Sequence, residues 1–199
     1  MLAIFDVEGV LLDAEFLPIL AEKINKQDEI WDITRQGIEG KINWEDGLKK
    51  RIELLRGIDY DTCKEVADSL KIMIGAKEAC RALKAAGWKI MAVSGGFTIM
   101  TDRLKKELDL DYIFSNKLVF KDGKLDGVTI DVDSDKAKSA IIKVREWKEE
   151  KKNIVVVVDG ANDIKLFDIC GLGVAFRAQD MVKELATVTL EEKDLSKLI

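Results

Sequence analysis

Ile154, Val155, Val156, Val157 and Val158 are five β-branched residues in succession, and the run stops at Asp159-Gly160. A stretch that is apolar on both of its alternating faces reads as a strand buried from both sides. Two other runs have the same form. Leu2-Ala3-Ile4-Phe5 ends at Asp6 with Gly9 close behind, and Lys89-Ile90-Met91-Ala92-Val93 ends at Ser94-Gly95-Gly96. Each run is followed by a segment of helical periodicity. Strands alternating with helices predict an α/β fold whose parallel sheet is covered on both faces. In such sheets ligands gather beyond the C-terminal ends of the strands. The polar clusters Asp6-Val7-Glu8, Ser94-Gly95-Gly96 and Asp159-Gly160-Ala161-Asn162-Asp163 are therefore expected to meet in space.

Between about Asp13 and Ile72 the texture changes to amphipathic helices without strands. One follows Pro18, one spans Asp28 to Ile38, one runs from the cap candidate Asn43 to Leu55, and one starts at Asp61. This predicts a helical insertion, residues 13–72, set above a core made of residues 1–12 and 73–199. Gly75 to Ala86 resumes a helix that Gly87 stops. Asn116 to Phe120 and Lys124 to Ile130 flank Asp122-Gly123, a hairpin signal. Gly171 is expected to end a helix.

Several functions are excluded by what the chain lacks. Its 199 residues contain no histidine, so Ser-His-Asp triads, Cys-His dyads and histidine-ligated metals are impossible. Proton transfer must use carboxylates, lysine or water. With 32 basic and 37 acidic residues, the net charge is −5, which disfavours nucleic acid as a partner. Met1 to Leu12 has no lysine or arginine and does not resemble a signal peptide, and no apolar run has membrane-spanning length. No membrane partner is expected; the chain should be soluble, as a monomer or homodimer. Cys63, Cys80 and Cys170 are an odd number in a chain too large to need staples, so a reducing cytoplasm and core packing suit them. No arginine lies six positions after any of them, so a cysteine-based phosphatase loop is absent. Five asparagines and three glutamines beside 35% charged residues predict a hot-adapted, thermostable protein; an ordinary melting temperature would contradict this.

The remaining residues supply the parts of phosphate-monoester hydrolysis: a nucleophile, a divalent cation, a charge sink and an acid for the leaving group. Asp6 can act as nucleophile, since a carboxylate can form an aspartyl phosphate. Glu8, two residues on, can protonate the leaving oxygen. Mg2+ takes oxygen ligands and only one or two protein carboxylates, which suits Asp6 and Asp159. Asp163 can reach back from a first helical turn to orient metal-bound water. Ser94-Gly95-Gly96 offers a hydroxyl and unobstructed N–H groups as a phosphate cradle, and Lys136 adds positive charge.

With these residues in place, the chain resembles the haloacid dehalogenase superfamily, and within it the phosphoserine phosphatase family. Asp6-Val7-Glu8-Gly9-Val10 is similar to the first motif, Val93-Ser94-Gly95-Gly96-Phe97 to the second, Lys136 to the lysine of the third, and Asp159-Gly160-Ala161-Asn162-Asp163 to the fourth. The similarity extends over Glu15, Trp44, Arg51 and Lys121-Asp122-Gly123-Lys124-Leu125, so it covers essentially the whole chain. It implies a Rossmann-like core with an inserted helical cap, Mg2+ as cofactor, and a small phosphomonoester, O-phospho-L-serine, as substrate. It further implies Asp6 as nucleophile and Glu8 as general acid/base whose backbone carbonyl also binds the metal. Ser94, Gly95, Lys136 and Asn162 are implied to serve the phosphate, Asp159 and Asp163 the metal site. Arg51 is implied to meet the substrate carboxylate and Glu15 its ammonium. An arginine fork suits a carboxylate and an acid suits an amine.

The chain departs from the family pattern at several positions. Glu8 stands where aspartate is usual, and its additional methylene moves the carboxyl by about an ångström, a shift that can cost on the order of a hundredfold in rate. Val10 replaces threonine, Val158 replaces glycine, and Ala137 follows Lys136 where glycine is usual. Lys138 competes with Lys136, which is favoured by lying 23 residues before Asp159. Glutamate-bearing relatives include a phosphotransferase acting on phosphoserine and homoserine, so phosphotransfer, another phosphomonoester, or weakened catalysis with retained binding remain alternatives. Taken singly, each signal has a plainer reading. Asp6, Glu8, Asp159 and Asp163 can be capping carboxylates, Ser94-Gly95-Gly96 a loop, and Lys136, Arg51 and Glu15 solvated helix charges. Trp44 reads as cap core more readily than as a substrate contact.

Overall fold

A computed structural model of the chain describes residues 1–132 and 134–199. Seven strands among these residues form one sheet: β1 (Leu2–Phe5), β2 (Lys89–Phe97), β3 (Tyr112–Lys121), β4 (Lys124–Thr129), β5 (Ile154–Val158), β6 (Leu172–Phe176) and β7 (Val188–Leu190). Their spatial order is β4-β3-β2-β1-β5-β6-β7, all parallel except β4 against β3. Among the described residues, eight α-helices accompany them: α1 (Phe16–Glu22), α2 (Gln27–Ile38), α3 (Trp44–Leu55), α4 (Tyr60–Ser69), α5 (Ala76–Ala85), α6 (Thr98–Glu107), α7 (Lys136–Glu146) and α8 (Asp180–Leu185). Among the described residues no helix is long and apolar enough to cross a membrane.

Alternate residues of the central strands serve opposite faces. Ala3, Phe5, Ile90, Ala92 and Val157 join one apolar cluster, and Leu2, Ile4, Met91, Val93, Val156 and Val158 join the other. This is why the runs are apolar throughout. The first cluster continues without a break into α1, α3 and α4 through Phe16, Leu20, Leu48, Ile52 and Cys63. The helical segment thus sits on the core through a shared apolar contact. Asp13 N donates to Lys71 O at 2.9 Å and Met73 N to Leu11 O at 2.9 Å, so the two connections to it run side by side.

Local chemistry explains two helix starts. Asn43 caps α3, its Oδ1 accepting from Asp46 N at 3.1 Å. Pro18 lies within the first turn of α1, where its missing N–H costs nothing, so that helix starts two residues before the proline. Gly171 ends no α-helix: the segment Ala161–Ile169 is a run of 3-10 turns capped at Cys170. Gly171 is needed for space, since a Cβ there would lie 2.8 Å from Lys152 Cα.

Two strands differ from the sequence expectation. The ladder of β2 does not stop at Val93; it resumes at Phe97, opposite Asn116, after an irregularity that holds Ser94, Gly95 and Gly96. The three residues are therefore a bulge within a strand, a device that re-aims side chains. β3 begins at Tyr112, and the β3–β4 turn has Asp122 at φ 51° and Gly123 at φ 74°, both positive as a two-residue hairpin requires. That hairpin also grips the α3–α4 connection, with Gly57 N donating to Leu125 O and Leu125 N to Ile58 O, both at 2.8 Å.

Candidate active site

β1 lies between β2 and β5, where successive connections leave to opposite sides of the sheet, which is the usual crevice for ligands. Phe5 pairs with Val157 and Asp6 N donates to Val157 O at 3.0 Å, so Asp6 and Asp159 emerge side by side. Residues 7–12 form a tight loop in which Leu12 N donates to Val7 O at 2.7 Å. Gly9 sits there at φ 82°, and a Cβ would fall 2.1 Å from Asp159 Oδ2. Only glycine satisfies both demands.

The first residue of α7 crosses to the same point. Lys136 Nζ lies 2.7 Å from Asp6 Oδ1 and 2.5 Å from Asp163 Oδ1, with all three residues buried. Lys138 is exposed, on the opposite side of the helix. Asp163 follows Gly160 in a 3-10 turn rather than an α-helical one, and its Oδ2 is buried without a hydrogen-bond partner. Carboxylate oxygens of Asp6, Asp159 and Asp163 lie within 4.8 Å of one another. Three hard oxygen donors, one of them orphaned, fit a small divalent cation. The Glu8 side chain is not part of this triad.

Glu8 points elsewhere: its Oε1 accepts from Phe16 N, the first residue of α1, at 2.7 Å, and its Oε2 lies 2.7 Å from where a Gly96 Cβ would be. Ser94 Oγ accepts from Gly96 N at 2.9 Å, which leaves the hydroxyl proton to donate outward. Asn116 fixes this bulge from behind. It is fully buried, its Nδ2 donating to Gly95 O at 2.9 Å and its Oδ1 accepting from Asp131 N and Val132 N.

A cavity of about 60 Å³ opens over these groups, room for a few waters or one small ligand by that measure. Asp6, Glu8, Gly95, Lys136, Asp159 and Asn162 line its floor, and Glu15, Thr34, Trp44 and Arg51 its upper wall. Trp44 is not simply interior packing of the helical segment: its ring lies over Gly95, and a Cβ on Gly95 would meet Cζ2 at 2.7 Å. Arg51 Nε donates to Gly47 O at 3.2 Å and its Nη1 to Thr34 Oγ1 at 3.0 Å. Thr34 and Asn116 were not singled out from sequence. An asparagine in a strand is a detectable anomaly; Thr34 carries no local signal.

Comparison with known proteins identifies the family. Residues 1–167 match the model of the haloacid dehalogenase-like hydrolase family. This chain belongs to that family. The hydrolase is 36% identical over 202 residues to a phosphoserine phosphatase of Methanocaldococcus jannaschii, covering 100% of this chain and 95% of the relative. A phosphoserine phosphatase of Archaeoglobus fulgidus is 37% identical over 198 residues, but the hydrolase spans only 57% of its length. Among solved structures, a phospho-aspartyl intermediate analogue of phosphoserine phosphatase superposes with a TM-score of 0.95 at 34% identity, covering 99% of this chain and 96% of that one. A substrate-bound phosphoserine phosphatase complex gives a TM-score of 0.95 at 33% identity, with 99% and 95% covered.

The hydrolase's site is rich in uncompensated negative charge. Burial pushes the Asp159 carboxyl well above the usual range, and Asp6 and Asp163 push it further. Asp163 is pushed up to about 7 by burial and then by Asp6, against the pull of Lys136. Burial also raises Glu8, with the Phe16 N–H opposing and Asp6 reinforcing. Glu15 is raised strongly, by burial and then by Glu8, Asp159 and Asp6. Burial works against the charge on Lys136, yet Asp163 and Asp6 outweigh it and hold the ammonium protonated. Burial lowers the Arg51 pKa, partly offset by Glu8 and Glu15. A bound cation reverses this logic, because it favours the ionised form of every carboxyl around it.

Proposed function

We propose that this hydrolase is a magnesium-dependent phosphomonoesterase that converts O-phospho-L-serine to L-serine and phosphate through a phosphoaspartyl group on Asp6. The observation that carries the reading is the joining of two halves in one cavity: the Asp6–Lys136 contact below, and a buried Arg51 with no ion-pair partner among the described residues above. A buried guanidinium with no carboxylate in direct contact is costly, and an amino acid carboxylate would supply that contact. Glu15 beside it suits the ammonium. The phosphoserine phosphatases that this chain matches over nearly their whole length support the same substrate.

In the first half-reaction Asp6 attacks phosphorus and the bond to the serine oxygen breaks. Lys136 occupies Asp6 Oδ1, which leaves Oδ2 as the attacking atom. Glu8, whose carboxyl burial shifts toward the protonated form, gives its proton to the departing alkoxide. In the second half Glu8 takes a proton from water as that water attacks phosphorus, so that phosphate leaves and the Asp6 carboxylate is restored. Ser94, the Gly95 peptide and Asn162 hold the phosphoryl oxygens. Magnesium held by Asp6, Asp159 and Asp163, with the Glu8 carbonyl, supplies neutralising charge. Residues 13–72 act as the cap, closing this site against water on a core of residues 1–12 and 73–199. Three buried free thiols support a cytoplasmic setting.

The test is phosphate release from phosphoserine, phosphothreonine, phosphoglycolate and sugar phosphates, with and without Mg2+ and with homoserine as added acceptor. Phosphoserine is expected to lead, with free phosphate as product and with Asp6→Asn inactive. Near-native turnover by Asp6→Asn overturns the mechanism; preference for a non-amino-acid substrate overturns the specificity; phosphohomoserine as the main product makes the protein a transferase.

A further inference from the structure

Arg51 is buried to 9% exposure, and its two hydrogen bonds come from different helices. The Gly47 carbonyl, one turn back on α3, takes Nε, and Thr34 Oγ1 on α2 takes Nη1. These contacts fix the plane of the guanidinium, and Nη2 has no partner among the described residues. Thr34 is itself 2% exposed and lines the cavity beside Arg51. A threonine hydroxyl carries one donor and two acceptor sites. Here one acceptor is used by Arg51, while the hydroxyl proton meets no acceptor among the described residues. Buried donors in folded proteins find partners, and this one stands next to the open edge of an arginine fork.

We infer that Thr34 determines specificity for the substrate's carboxylate, orienting Arg51 through its oxygen and donating its own proton to the same carboxylate. The inference rests on the reading that Arg51 receives that group. Together they form a clamp from two helices: Arg51 supplies the charge, and Thr34 supplies a directional donor that a phosphomonoester without a carboxylate does not use.

Thr34→Val keeps the shape and removes the hydroxyl. The expected result is a KM for phosphoserine raised about tenfold or more, in line with one lost charge-assisted hydrogen bond, with kcat changed much less. Inhibition by inorganic phosphate, which has no carboxylate, is expected to weaken at least fivefold less than the KM rises. Thr34→Ser is expected to restore KM to within about threefold, and Thr34→Ala serves as a second hydroxyl-free variant if valine impairs folding. Equal losses for phosphoserine and phosphate, or no recovery with serine, overturn the inference. Arg51→Leu separates the two ideas. If it leaves the phosphoserine KM unchanged, the carboxylate reading itself fails; if it raises KM while Thr34→Val does not, only the role of Thr34 fails.

Discussion

Lys136 Nζ sits between two buried carboxylates, 2.7 Å from Asp6 Oδ1 and 2.5 Å from Asp163 Oδ1. One ammonium thus binds β1, α7 and the turn after β5 at one point. It also sets the charge balance of the cavity: among the described residues, Asp6, Glu8, Glu15, Asp159 and Asp163 face two cations, Lys136 and Arg51. A phosphate dianion entering this field meets repulsion unless further positive charge accompanies it.

Replacing Lys136 by methionine removes half of that positive charge while keeping most of the stem. Two buried carboxylates then lose their shared partner, which costs about 3–5 kcal/mol of stability when the partner charge is fully buried. Turnover is expected to fall by 10²–10³ or more, the scale seen when a charge-stabilising donor is removed. Steady-state kinetics and urea unfolding on the same preparation check both numbers, and a loss of under tenfold in kcat would place Lys136 outside the reaction.

Gly9→Ala tests how closely the two motif loops approach. The new Cβ demands space 2.1 Å from Asp159 Oδ2 at a backbone φ of 82°, so Asp159 must swing away. Displacement of about an ångström in such a site costs on the order of a hundredfold in rate. The Mg2+ concentration for half-maximal activity is expected to rise about tenfold, read by metal titration. Gly95→Ala should act differently, because its Cβ meets the Trp44 ring. Its loss in kcat/KM is expected to be partly relieved by Trp44→Leu, a coupling that Gly9→Ala lacks.

The strands and their polar ends were legible because continuous β-branched runs have few other uses, and the Asn43 cap because asparagine precedes acidic first-turn residues of α3. Lys136 and Lys138 are two residues apart, about 200° around a helix, so only one can face the site. The helix phase relative to the sheet decides which, and that phase is a tertiary property. The position of Trp44 over Gly95 depends likewise on how the helices dock, which no local pattern encodes. The 3-10 character of Ala161–Ile169 was hidden as well, since its residues carry no signal separating it from an α-helix. Thr34 was invisible because its meaning comes from Arg51, on another helix.

Metal removal is expected to leave the fold intact and the activity absent. Chelation should abolish phosphate release, and Mg2+ at a hundred times its Kd should add about 2.7 kcal/mol, a rise of roughly 5–10 °C in Tm for a chain of this size. Asp163→Asn removes one buried negative charge that Asp6 opposes. Thermal scans should then show a smaller Mg2+-induced shift without a matching fall in the metal-free Tm. An undiminished shift would exclude Asp163 from the metal site.

The three thiols give a prediction that depends on burial rather than chemistry. Burial pushes Cys63 and Cys80 from 9 to about 11 and raises Cys170 as well. At pH 8 the folded protein therefore holds roughly a hundredfold less thiolate at Cys63 and Cys80 than the unfolded chain, and the thiolate is the reactive form. Labelling by an aromatic disulfide at pH 8 is expected to be slow at all three and fast once denaturant is added. The same shift has a sign for stability. The folded state retains protons that the unfolded state releases, so this contribution is intact below pH 9 and is lost as pH rises toward 11, at up to ~2–3 kcal/mol for each of Cys63 and Cys80. Urea midpoints measured from pH 8 to 11 should fall, and the fall should shrink in Cys63→Ala relative to its own pH 8 value. A midpoint independent of pH across that range would mean that these thiols ionise as freely in the folded chain as in the unfolded one.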